Sequence, residues 1–74
     1  MSAERKRSLS IAGHRTSISL EDEFWDALKG IAAAENRPVA ALVAEVDSRR
    51  GALNLSAALR LHALAYYKRL ASSS

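Results

Sequence analysis

The alternation of apolar and polar positions changes period near residue 21, and that change divides the chain. Leu9 and Ile11 alternate with serines, Ala12-Gly13 interrupts, and alternation resumes over Arg15-Thr16-Ser17-Ile18-Ser19-Leu20. Period two marks a strand with two faces. Thr16, Ile18 and Leu20 fall on one, and Arg15, Ser17 and Ser19 on the other. One strand is expected over residues 15–20, with an extended lead-in from 9 and Gly13 as a bulge or bend.

Beyond it the spacing becomes helical. Phe24, Leu28, Ile31 and Ala32 lie at i, i+4, i+7 and i+8, one stripe of a helix. Glu21, Asp22 and Glu23 occupy its first turn, where the helix dipole favours negative charge. Asn36-Arg37 before Pro38 ends it, because the residue before proline avoids the α region. The first helix is expected over 22–35. Pro38 suits the first turn of a second helix, over 38–49. Its stripe is Val39, Leu42, Val43 and Val46, and it stops at Gly51 after Arg49 and Arg50. Ser56 is a candidate N-cap for a third helix over 57–71. Leu59, Ala63, Tyr66 and Leu70 form one of its faces, flanked by Leu61 and Leu64. Residues 1–8 read as a flexible basic arm, 9–71 as one domain and 72–74 as a frayed tail.

One strand followed by three helices poses a problem of pairing. A lone strand leaves its N–H and C=O groups without a ladder. The economical solution is antiparallel pairing with the same strand of a second copy about a two-fold axis. Composition points the same way. A chain of 74 residues buries a modest share of its surface. With no cysteine it has no disulfide, and His14 and His62 have no thiolate company for a structural metal. The apolar fraction is 49%, but much of it is alanine, which favours helix without filling a large core. No apolar stretch approaches the length of a membrane span, and the basic N-terminus is not followed by the apolar run of a signal peptide. Absence of cysteine fits a reducing, cytoplasmic setting.

The net charge is +3, unevenly spread. Arg5, Lys6, Arg7 and Arg15 precede the acidic run Glu21, Asp22, Glu23 and Asp26. A basic arm beside an extended segment suits an anionic partner such as DNA or RNA, and equally a solvated terminus.

The order and spacing of these features resemble the ribbon–helix–helix family. The resemblance rests on Arg15-Thr16-Ser17-Ile18-Ser19-Leu20, the spacing to Phe24 and Leu28, and the Asn36-Arg37-Pro38 link. Arg7–Trp25 together with Asn54-Leu55-Ser56-Ala57-Ala58-Leu59-Arg60 is similar to a bacterial subgroup with an extra C-terminal helix. The resemblance implies a mostly α fold with one N-terminal strand. It also implies a homodimer joined by an intermolecular antiparallel β-ribbon, and a transcriptional regulator, a repressor, bound to double-stranded DNA. Base reading then falls to Arg15, Ser17 and Ser19, whose chemistry suits guanine edges and mixed donor–acceptor contacts in the major groove. Phosphate contacts fall to the start of the second helix at Val39 and Ala40, with Arg37, and to Arg5, Lys6 and Arg7. The dimer core falls to Ile18, Leu20, Phe24, Leu28, Leu42, Val43 and Val46. Pro38 departs from the serine or threonine more usual at that cap, and it has no N–H. The acidic run after the strand would repel phosphate if it faced it.

Trp25 is read as a packing residue of the dimer core or the third helix. Tyr66 and Tyr67 are read as core-edge residues, and His14 and His62 as ordinary polar side chains. No catalytic spacing and no cofactor or metal motif is present in the sequence. The third helix is more apolar than a minimal core needs. It has three open roles: thickening the dimer core, assembly beyond the dimer, or binding another protein as antitoxins of this fold bind toxins. The last gives the alternative function, a protein-interaction module.

Overall fold

The structure is a computed structural model that describes residues 3–73. The chain folds as β1 (Glu4–Ile11), β2 (His14–Glu21), α1 (Asp22–Ala34), α2 (Val39–Arg49) and α3 (Leu55–Ser73). A mostly helical fold with a β element before three helices is as the sequence implies. The number of strands is not. The expected lead-in is itself a full strand, paired antiparallel to β2 within the same chain. Residues 4–8, expected in a flexible arm, are the first part of β1. Met1, Ser2 and Ser74, the ends of the expected arm and tail, lie outside the described residues.

A two-residue turn causes this. Ile11 pairs with His14, and Ala12 and Gly13 between them have φ of +51° and +84°. Positive φ at both central residues is the type I′ geometry whose twist matches that of paired strands. Ala12-Gly13 is therefore a hairpin turn and not a bulge in one strand. β1 supplies the ladder for one edge of β2 within the same chain, and the sheet of the described residues has these two strands.

Opposed residues of an antiparallel pair share a face. Leu9, Ile11, Ile18 and Leu20 lie on the inner face, with Ile11, Ile18 and Leu20 buried. Every element adds to the core they begin. Leu28, Ile31 and Ala32 come from α1, Leu42, Val43 and Val46 from α2, and Ala58, Leu59 and Ala63 from α3. All the residues expected in a dimer core except Phe24 are buried within a single chain, and Phe24 is half-buried against them.

The helix ends follow local chemistry. Past α1, Asn36 takes φ +58°, the Arg37 N–H donates to the Ala32 carbonyl at 3.0 Å and the Asn36 N–H to Ala33 at 3.1 Å. This is a Schellman closure with asparagine in the left-handed position. α3 starts earlier than Ser56 suggests. Its cap is Asn54, whose Oδ1 accepts the Ala57 N–H at 2.8 Å. Ser56 instead donates its hydroxyl to the Ser19 carbonyl of β2 at 2.7 Å, tying α3 to the hairpin.

Candidate nucleic-acid interface

The outer face of the hairpin collects side chains that sequence reasoning had kept apart. Register sets Lys6 opposite Ser19, Ser8 opposite Ser17 and Ser10 opposite Arg15. Ser19 is half-buried and the other five are exposed. Arg15, Ser17 and Ser19 thus form one row of a two-row surface. The second row, Lys6, Ser8 and Ser10, was missed as a reading surface. Its signal was in the sequence: Ser8 and Ser10 alternate with Leu9 and Ile11, in phase with Ser17 and Ser19 across a two-residue turn. Lys6 and Arg15 mark opposite ends of the surface, about 13 Å apart at roughly 3.3 Å per strand residue. The hydroxyls between them donate or accept equally well.

The base of the ribbon carries Glu4 directly opposite Glu21, a repulsive like-charge pair. Arg60 of α3 resolves it. Its Nε donates to Glu21 at 3.0 Å and its Nη2 to Glu4 at 2.5 Å. The hydrogen bond from Arg60 holds the Glu21 carboxyl below the usual carboxylate range, and Glu21 in turn raises Arg60. Asp22 is matched as well, by Arg5 at 3.3 Å and by Arg7. Glu21 and Asp22, expected to repel phosphate, are thus each held by cations of the same chain.

That neutralisation has a consequence for the basic cluster. Arg5 and Arg7 are on the inner side of the hairpin, drawn toward α1, and Arg7 is stacked over the Trp25 ring at 5.0 Å. Of the three cations expected to track phosphate from the arm, only Lys6 lies on the outer face. Trp25, expected in a dimer core or against α3, packs on the core with Arg7 of β1 as its cover.

The second expected phosphate site is also partly engaged. Arg37 makes ion pairs with Glu45 at 2.5 Å and Glu35 at 2.7 Å. Its hydrogen bonds to Glu45 and then Glu35 raise its pKa, and Glu45 is held low by the same pair. At the start of α2, Pro38 is the N-cap and no side chain caps the helix. The N–H groups of Val39 and Ala40 therefore have no side-chain acceptor, the condition under which a helix start takes an anion.

His14 is exposed beside the turn, and His62 is half-buried on α3. Among the described residues no group of three histidine, acidic or cysteine side chains could hold a metal ion. No helix among them is long and apolar enough to cross a membrane.

A family model for the ribbon–helix–helix domain matches residues 4–67. The chain belongs to the ribbon–helix–helix family. Members of this family are typically non-enzymatic DNA-binding regulators and generally bind DNA as dimers. No curated protein and no solved structure gives a significant match. The match starts at the first residue of β1, so both strands of the hairpin belong to the domain.

Proposed function

We propose that this ribbon–helix–helix protein is a sequence-specific transcriptional regulator. It lays the outer face of β1 and β2 into the major groove of double-stranded DNA. The observation that carries this is the register, which sets Lys6, Ser8 and Ser10 beside Arg15, Ser17 and Ser19 on one polar face. A two-stranded ribbon fits the major groove, about 12 Å wide. Arg15 reads guanine through a bidentate contact, the serines read mixed donors and acceptors, and Lys6 binds backbone phosphate. Val39 and Ala40 hold a second phosphate through their N–H groups. Arg37 joins them only by leaving Glu45 and Glu35.

A homodimer presents two such faces related by a two-fold axis, which suits an inverted repeat. Its regulatory output on this reading is occlusion of a promoter, that of a cytoplasmic repressor.

The test is selection of bound duplexes from a random pool, followed by binding curves on the selected site across a salt series. The expected result is a symmetric motif. Arg15→Ala should cost about 1–3 kcal/mol at one base position and relax specificity there. Lys6→Ala should weaken all duplexes alike and reduce the salt slope by about 0.9 for each phosphate that Lys6 neutralises. A folded variant with Arg15, Ser17 and Ser19 all replaced by alanine, yet with unchanged site preference, would refute this mechanism.

A further inference from the structure

α3 begins beside the base of the hairpin, and two of its side chains reach it. Ser56 and Arg60 are four residues apart, so they lie on one side of the helix. The Ser56 hydroxyl donates to the Ser19 carbonyl at 2.7 Å. That carbonyl belongs to the peptide joining Ser19 to Leu20, and Leu20 is fully buried in the core. The peptide is planar, so holding its carbonyl from α3 and its far end in the core fixes the backbone at Ser19. The direction of the Ser19 side chain is fixed with it.

Arg60 acts one turn further along. By strand alternation Glu4 and Glu21 continue the outer face, two residues from Lys6 and Ser19. Their carboxylates would repel each other and any phosphate near Lys6. The Arg60 guanidinium takes Glu21 with Nε at 3.0 Å and Nη2 at 3.2 Å, and the same Nη2 takes Glu4. Its planar fork also lies against the Phe24 ring, 5.9 Å from the centroid. One side chain thus joins the ends of both strands to α3, where a point charge would lack the fork that grips Glu21 twice. Arg15, by contrast, lies four residues along β2 from Ser19 and is exposed, about 13 Å away at roughly 3.3 Å per residue. The brace grips one end of the reading face.

We propose that Ser56 and Arg60 are positioning residues for DNA reading, holding the base of the ribbon so that Ser19 meets its base pair in a fixed pose. This rests on the ribbon reading DNA as described above. It gives α3 a part in specificity without any contact to the duplex.

The test resolves specificity by base position, with the full chain and the site selected from the random pool. Ser19→Ala identifies the base pair that Ser19 contacts, and Arg15→Ala the one that Arg15 contacts. Ser56→Ala should then lower discrimination at the Ser19 pair by about fivefold, the lower end of the cost of one mismatched base pair, with discrimination at the Arg15 pair unchanged. Ser56→Thr, which keeps the hydroxyl, should restore it. Arg60→Gln should act at the same pair, and Arg60→Lys should restore it only in part. Alanine and glutamine are good helix formers, so α3 should persist in both variants, as circular dichroism and urea unfolding will check. A loss of affinity equal at every base position means that the two residues only stabilise the fold, and overturns the proposal. Unchanged discrimination in folded Ser56→Ala and Arg60→Gln overturns it too, and leaves DNA reading by the ribbon standing. So does a Ser19→Ala chain that keeps every preference, since the brace then has no contact to direct. A wild-type chain that selects no motif overturns the reading itself, and the positioning role with it.

Discussion

Ala12 is the residue on which the in-chain hairpin can be tried. It is the first central residue of the turn and has φ +51°, a conformation in which the alanine Cβ is strained by about 1–2 kcal/mol. Asparagine tolerates that conformation, and Asn-Gly is the preferred type I′ pair. Ala12→Asn should therefore recover about 1 kcal/mol without the unfolded-state entropy that glycine would add. For a domain of this size that corresponds to a rise of roughly 4–8 °C in Tm. Gly13→Ala is the reverse experiment. At φ +84° a Cβ meets no atom within 4 Å, so its cost is backbone strain and not crowding. It should lower stability by about 0.5–1 kcal/mol once the entropy gain is subtracted.

The assay is urea and thermal unfolding of both variants, with exposed Ala52→Asn as a control expected to be near neutral. Opposite signs at positions 12 and 13 are required. If Ala12→Asn were neutral or harmful, the segment would not be a type I′ turn.

Two further outcomes follow from the core and the ion pairs. Leu59→Ala, at a fully buried position that joins α3 to the other elements, should cost about 2–5 kcal/mol in urea unfolding. The cost should be near zero if α3 were an independent appendage. Glu21 and Glu45 have folded-state pKa values below the ordinary glutamate range, so their contribution is present above that range and is lost as pH falls through the lowered values. The urea midpoint should therefore drop on acidification below the ordinary range. The drop should shrink in Arg60→Gln, and since these groups are exposed to solvent it should be small.

Much of this fold was legible in the sequence. The three helices, the core stripes and the outward row of Arg15, Ser17 and Ser19 follow from periodicity, which reports which way a side chain faces. Periodicity does not report what a strand pairs with. Leu9 and Ile11 alternated correctly, but Ala12-Gly13 lacks the asparagine or aspartate that announces a type I′ turn, so the break read as a bend. The same error separated Lys6 from Ser19. The use of Arg5, Arg7 and Arg37 was illegible for another reason. An ion pair depends on which element packs beside a charge, and Asp22 and Glu45 meet their partners only in the folded chain. Ser56 was misread as a cap because Asn54, two residues earlier, sits where its side chain accepts the Ala57 N–H.

Burial of the core within one chain changes the meaning of dimerisation. When a strand is completed by a second copy, folding and association are one event, and an unfolded monomer is the alternative to the dimer. Here β1 pairs with one edge of β2, and Ile18, Leu20, Leu42 and Val43 are buried within one chain. The large apolar side chains exposed among the described residues are Leu53, Leu61, Leu64, Tyr67 and Leu70, four of them on α3. If the ribbon reads DNA as proposed, substitutions at Arg15, Ser17 and Ser19 should change which site the protein prefers, while Leu61→Glu and Leu64→Glu on the exposed side of α3 should leave that preference unchanged.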